Sequence, residues 1–444
     1  MSAKHVPAFE HAWPVLGHAI PFARDPIAFL DKAHEECGPV FELRLPVGRR
    51  AVVLIGPSHN RFFFEETDKR LSIMEAYAYF KRMFSDDFFY FGGAEAYQRQ
   101  RNIILPCFKS TRLPDYVEVI ADETERFMAR LGDEGEFNLV DEFGPLVMHV
   151  AAHAFLGREF RETLGREVFE EMRHFSEGMD PITPAWMPLP KFARSRKARE
   201  SLHARFRPLI AERRAHAVSP PDFLQTMADA VDENGNLHEE GILIDLILLL
   251  VWAGHETTAG HVSWTLIDLL QNPAAMEKLL AQQQEVLGER GTVVREDVRQ
   301  LTYMDLVLQE TERLHPVAWM LMRHATEDIE HDGYLIEAGT DVFISPWLSH
   351  RLPDVFEQPE RYMPERFDGR RQVAHSLIGF GGGRHRCTGV NFAKLEMKVI
   401  ITMLLARYDF TLLTPDPQPA SGPVTKWPES TTRVAYRRRG TLAD

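Results

Sequence analysis

The chain has 444 residues, of which 44% are hydrophobic, 10% aromatic and 26% charged, proportions that exclude a disordered, collagen-like or disulfide-stapled polypeptide. Its 51 Lys and Arg against 65 Asp and Glu leave a net charge of −14, which argues against general nucleic-acid binding, since that needs a basic footprint. Three scattered cysteines, Cys37, Cys107 and Cys387, are too few for a disulfide framework and fit a reducing compartment.

No basic stretch followed by an apolar core opens the chain, so no signal peptide is read. The most apolar run, 242–254, is short and interrupted by Asp245, whereas a membrane span needs about 20 mostly apolar residues. The expectation is a soluble, cytoplasmic protein with no membrane anchor. Proline-punctuated loops surround Pro14 and Pro26. The runs Gly38-Pro-Val-Phe-Glu-Leu-Arg-Leu45 and Ala51-Val-Val-Leu-Ile55 read as two short strands of a hairpin. From about 117 to 300 apolar residues recur at helical spacing, as in Val117, Ile120, Ala121, Thr124, Phe127 and Met128. Prolines between 181 and 190 and at Ser219-Pro-Pro break this pattern, and Asp232-Glu-Asn-Gly-Asn-Leu reads as a turn. The longest helix is expected over about 238–270, stopped by Asn272-Pro273; its largely uncharged middle marks a buried central helix. Helices continue to about His315, two strand-like pieces follow (Gly333-Tyr-Leu-Ile and Asp341-Val-Phe-Ile-Ser), and a last helix runs over about 389–407 before terminal strands. The predicted class is α+β, predominantly helical, in one domain over 1–444. Its β-rich portions lie at about 35–60 and 320–350, its helical portions at about 60–320 and 389–407.

The most informative segment is Phe380-Gly-Gly-Gly-Arg-His-Arg-Cys387-Thr-Gly389. Three glycines let backbone approach a ligand closely, and Cys387 opens an apolar helix with Arg384 and Arg386 beside it, a setting that favours the thiolate. A phosphate loop would need a following lysine and Ser or Thr, which are missing. The segment resembles the haem-binding loop of cytochrome P450 enzymes, Phe-x-x-Gly-x-(His/Arg)-x-Cys-x-Gly, with Phe380, Gly383, His385, Cys387 and Gly389 at its fixed positions. The resemblance implies that family's fold, a long central helix over a haem with a small β-rich subdomain. It also implies haem b (iron protoporphyrin IX) as cofactor and Cys387 as the axial thiolate on its iron.

Other segments agree with the same family. Glu310 and Arg313 are one helical turn apart, and Arg366 lies in Pro364-Glu-Arg-Phe367, resembling the family's buried Glu/Arg/Arg network. Haem propionates need cations, and the resemblance offers Arg101, Arg323 and His385, together with Tyr77. Arg101 stands in Tyr97-x-x-x-Arg101-x-x-x-x-Pro106-x-Phe108, where the family usually has tryptophan for Tyr97. On the central helix, His255-Glu256 invites a zinc-protease reading, but the next histidine, His261, is six residues on and off that face. Ala253-Gly254-His255-Glu256-Thr257 instead resembles the oxygen-activation motif (Ala/Gly)-Gly-x-(Asp/Glu)-Thr. By that resemblance Ala253 and Gly254 open a groove for dioxygen, Thr257 hydrogen-bonds it and Glu256 relays protons. Peroxide-dependent relatives lack the pair, so a true monooxygenase is implied.

The resemblance covers nearly the whole chain, and Asp25-Pro-Ile-Ala-Phe-Leu30, Phe62-Phe-Phe64, Leu321-Met-Arg323 and Tyr436-Arg-Arg-Arg439 look most like the sterol 14-alpha-demethylase branch. That branch typically has histidine where Glu256 stands, so a demethylase-like scaffold doing another oxidation is expected. Tyr77, Phe80, Phe84, Phe88, Leu250, Val317 and Trp319 are expected to line an aromatic pocket for a lipophilic substrate: a sterol, a terpenoid or a fatty acid. A monomer is expected, with O2 as co-substrate and electrons from a separate ferredoxin and ferredoxin reductase docking near Arg384 and Arg386. The alternatives are a sterol 14-alpha-demethylase and, in another class, a haem-binding protein without oxygenase turnover or a haem-dependent isomerase.

Overall fold

In the computed structural model, the described residues are 3–163, 166–180, 183, 187–369, 371–421 and 425–440; half of the proline break expected over 181–190, including Pro181 and Pro184, lies outside them. The hairpin forms as expected. Val40–Arg44 pairs antiparallel with Arg50–Leu54, Phe41 facing Val53 across the register. Arg50–Leu54 then pairs in parallel with Asp341–Ile344, which pairs antiparallel with Leu321–Ala325, and Leu71–Ser72 closes the other edge. Every residue of Asp341–Ile344 is buried, because this strand runs through the middle of the five-stranded sheet with structure on both faces.

The helical body is organised around Glu240–Gln271, 32 residues long. It packs on Leu139–Leu156 and on Val390–Arg407, and Val390–Arg407 also receives Leu113–Leu131. On Leu113–Leu131 the expected face is buried at Val117, Ile120, Thr124, Phe127 and Met128, with Ala121 half-buried beside them. Asn138 starts Leu139–Leu156 by accepting hydrogen bonds from the Val140 and Asp141 amides, a strong N-cap. The central helix ends at Asn272, and Pro273 begins the next helix, since proline is favoured at a first helical position.

Two findings differ from the sequence reading. Glu134–Asn138, inside the span expected to be helical, is a strand of a second sheet, antiparallel to Arg433–Arg438, which also pairs with Tyr408–Leu412. Its partner lies some 300 residues away, so no local pattern announces it; Gly135 is required there because a Cβ would stand 2.6 Å from the Tyr436 hydroxyl. Second, Glu240–Gln271 is, by length and apolar composition, long enough to cross a membrane, although no such run was read from the sequence; 56% of its apolar window is buried inside the protein. A third small sheet joins Lys4–His5, Tyr334–Ile336 and Ile329–His331.

Candidate active site

Cys387 sits between the glycine loop and Val390–Arg407. Its amide donates to the Phe380 carbonyl at 3.0 Å, and the Gly381 amide to Ile378 at 2.8 Å. Gly381 and Gly383 have φ of 69° and 61°, left-handed values that glycine adopts without penalty. Gly382 lies so close to Phe64 that a Cβ would stand 2.6 Å from its ring. This turn aims the sulfur into a cavity of about 360 Å³ between the loop and the central helix. Cys387 lines that cavity and is exposed, with protein packed closely around it. Burial therefore pushes the thiol up, outweighing the Gly389 amide and the Arg386 charge that pull it down. The sequence reading rests on the helix start with Arg384 and Arg386 beside it; the fold adds enclosure, and that desolvation outweighs them.

Arg101, Arg323 and His385 converge on the same cavity, with Tyr77 among them. Arg101 Nη1 donates to the Arg384 carbonyl at 2.6 Å, while its buried Nε has no partner among the described residues. Arg323 is 4% exposed; its Nε donates to Thr67 Oγ1 at 3.0 Å, its Nη1 to the Met322 carbonyl at 2.6 Å, and it lies over Phe63. His385 Nε2 meets Asp68 Oδ2 at 2.7 Å, and its buried Nδ1 has no partner among the described residues. Burial would raise Asp68, but the His385 hydrogen bond and the charges of Arg384 and Arg323 hold it below the ordinary carboxylate value. Tyr97, in the family's tryptophan position, packs 4.0 Å from the His385 ring and donates to the Arg384 carbonyl. Sequence reasoning missed Tyr90, whose ring stacks on Phe80 and Tyr77 in the cavity wall. The available signal was a lone phenol in the run Phe88-Phe89-Tyr90-Phe91.

Opposite Cys387, the central helix contributes Ala253, Gly254 and Thr257 to the wall. Thr257 donates its hydroxyl proton to the Ala253 carbonyl at 2.6 Å, so it offers lone pairs to the cavity. A Cβ on Gly254 would touch only Phe155, at 3.9 Å, so the missing side chain leaves open space over the sulfur. Glu256 does not line the cavity. One residue round the helix, it faces Ser176 and Trp252, and burial raises its carboxyl despite both neighbours. His255 points to Gly144 on the adjacent helix, away from His261, so no zinc pair forms. His261 is in the cavity wall, stacked on Phe380.

Of the seven expected pocket residues, Tyr77, Phe80, Leu250 and Val317 line the cavity. The other three are corrected. Phe84 and Phe88 stack on each other at 4.1 Å behind Phe80, where they support the wall from the core. Trp319 packs with Phe22 in the separate cluster under the five-stranded sheet, because its strand neighbours, not the helix, set its direction. Phe89, Phe155, Leu249 and Leu321 take the vacated places. Gly383 shapes the loop without reaching the wall, whereas Phe380 and Gly389 do reach it.

Behind the site, Glu310 is fully buried with Arg313 and Arg366. Arg313 donates Nε and Nη2 to the two carboxylate oxygens at 2.9 and 2.8 Å; Arg366 Nε and the Met363 amide reach Oε1 at 3.1 and 2.8 Å. The other guanidinium nitrogens donate to carbonyls of His350, Glu357, Gln358, Pro359 and Arg361. These carbonyls belong to the segment that leads into the glycine loop.

The cavity thus offers one sulfur, mostly apolar walls, and three arginines (Arg101, Arg323 and Arg386) and two histidines (His261 and His385) in its lining, with nitrogens on Arg101 and His385 that have no partner among the described residues. That set fits a flat apolar macrocycle carrying two carboxylates and a thiolate-seeking metal. The comparisons agree. The cytochrome P450 family profile matches residues 7–432. The chain is 29% identical over 429 residues to the sterol 14alpha-demethylase of Mycobacterium tuberculosis, covering 94% of both chains. It is 30% identical over 446 residues to the obtusifoliol 14-alpha demethylase of Triticum aestivum, covering 97% of this chain and 98% of that one. Retinoic acid bound cyanobacterial CYP120A1 superposes with a TM-score of 0.88 at 26% identity, over 99% of this chain and all of that one. The chain belongs to the cytochrome P450 family and is a P450 monooxygenase, which implies a haem cofactor, an organic substrate, O2 and redox partners.

Proposed function

We propose that this enzyme, as a single catalytic domain, hydroxylates a C–H bond of a large lipophilic molecule (a sterol, terpenoid or fatty acid) on haem b held by Cys387. The observation that carries the reading is the Cys387 sulfur opening into an apolar cavity directly across from Thr257 and the gap at Gly254. Bound there, the haem supplies O2 activation and oxygen insertion. The chain's residues supply the rest. Arg101, Arg323, His385, Tyr77 and Tyr90 hold the propionates. Phe80, Phe89, Leu250 and Val317 bury the substrate and exclude water. Thr257 receives a hydrogen bond from the cavity side, and Glu256, whose carboxyl burial pushes up, relays protons one residue away. Electrons come from a ferredoxin and its reductase meeting Arg384 and Arg386, and the protein works as a cytoplasmic monomer.

A second reading, sterol 14-alpha-demethylation, is favoured by the relatives named above and opposed by Glu256. Ligation is tested by reducing the purified protein under carbon monoxide: a red-shifted Soret band is expected, and Cys387→Ala abolishes it. Substrate class is tested by low- to high-spin shifts with sterols, terpenoids and fatty acids, followed by NADPH and O2 consumption with surrogate redox partners. Absence of oxygenated product from every class favours a non-oxygenase haem protein or isomerase. A Glu256→His variant that improves sterol demethylation supports the second reading.

A further inference from the structure

The cysteine loop carries a charge pair that none of the motifs requires. Glu312, between Glu310 and Arg313 in sequence, turns away from their network. Its side chain is 4% exposed and packs so tightly on Gly379 that a Cβ there would stand 2.7 Å from Glu312 Cγ. Lys394 Nζ approaches its Oε2 at 3.4 Å, and the Phe380 amide also donates to the carboxylate. The same ammonium stands 5.2 Å from the centroid of Phe380, whose ring is also stacked by His261 and whose carbonyl holds the Cys387 amide. The pair therefore packs directly on the loop that aims the sulfur.

A buried carboxylate is expensive even with Lys394 and Arg386 near it and the Phe380 amide donating to it, and apolar residues of similar volume would pack as well or better. Stability is therefore a poor reason for the pair. Charges in a desolvated interior act over longer distances than in water, and groups packed around a metal ligand tune the metal. Burial raises the Glu312 carboxyl, while Lys394 and Arg386 oppose that rise; Glu312 and Arg386 both act on the Cys387 sulfur. One-electron reduction by a redox partner adds one negative charge at the site. A nearby ammonium favours that charge and a nearby carboxylate disfavours it.

We propose that Lys394 and Glu312, packed around Phe380, set the reduction potential of the metal centre held by Cys387, Lys394 raising it and Glu312 lowering it. Both are positioning residues acting through the loop and its field, and the inference rests on Cys387 being the thiolate ligand. The test is spectroelectrochemical titration of the haem-loaded wild type, Lys394→Met and Glu312→Gln. Lys394→Met is expected to lower the potential and Glu312→Gln to raise it, both variants keeping the red-shifted carbon monoxide band. Any other pattern overturns the inference; shifts in the same sense, or with loss of the band, mean that the substitutions merely loosen the loop. A wild type without the band overturns the ligation reading and the inference with it. Banded variants whose potentials do not move overturn the inference alone.

Discussion

Replacing Glu310 by alanine should undo the fold around the haem pocket. The carboxylate is fully buried and is met by two guanidiniums and the Met363 amide. Removing one partner of a buried ion pair leaves uncompensated charge and destabilises by about 3–5 kcal/mol; here two cations are orphaned. The unpaired Met363 amide adds about 1–3 kcal/mol. The sum, roughly 4–8 kcal/mol, is comparable with the whole margin of about 5–15 kcal/mol that keeps a domain folded. At about 1.4 kcal/mol per decade the folded-to-unfolded ratio falls by roughly a thousandfold or more. Denaturant titration of tryptophan fluorescence, with the carbon monoxide band followed in parallel, measures it. Glu310→Gln, which keeps the shape and one acceptor, should fall between Glu310→Ala and wild type. Glu365→Gln is the control: its pair with Lys278 is solvent-exposed and should change stability by less than about 1 kcal/mol. A Glu310→Ala protein within about 1 kcal/mol of wild type would refute the reasoning.

Asp245, 1% exposed, accepts from the Ser85 amide and hydroxyl, His203 and Arg199, tying the cavity roof and Pro190–Ala215 to the central helix. Burial would raise this acid, but His203, Ser85 and Arg199 outweigh it and the folded value lies below 3.8. Its stabilisation is therefore complete above the ordinary value and lost as pH falls through the lower folded one. Asp245→Asn should lower Tm at pH 7 and flatten the acid limb of a Tm-versus-pH curve; an unchanged Tm would sink the idea. Glu396 has the opposite sign: fully buried, it is raised well above 4.5 by desolvation, so the unfolded chain releases this proton at lower pH than the folded one and stability falls as pH rises. Glu396→Gln should gain Tm at pH 7–8, with the gain vanishing below about pH 4.5; equal curves throughout would count against protonation. Phe84→Ala and Phe80→Ala separate wall from support. Both remove a buried ring, at about 3–5 kcal/mol, but only Phe80→Ala should change the affinity read from substrate-induced spin shifts, and equal affinity changes would place both rings in contact with substrate.

Much of the site was legible because its chemistry is local. The turn before Cys387 needs glycines within four residues, Thr257 and Ala253 are one helical turn apart, and Glu310 meets Arg313 at the same spacing. Such short-range geometry follows from chain stereochemistry and survives any packing. The hairpin Val40–Arg44 and Arg50–Leu54 and the central helix were readable for the same reason. What needed the tertiary structure was every feature set by residues far apart in the chain. Glu134–Asn138 became a strand only because Arg433–Arg438 pairs with it. Phe84, Phe88 and Phe80 look alike in sequence, yet neighbours from other helices decide that only Phe80 faces the cavity. Arginines flank the Cys387 thiol in the sequence and pull it down, but the enclosure by distant segments that pushes it up exists only in the fold. Likewise, Glu312 is one more acid in a charged helix until Lys394 and Phe380 arrive against it. Local spacing determines which groups can act together; burial, direction and electrostatic sign depend on which distant surfaces exclude water from them, and only the folded chain decides that.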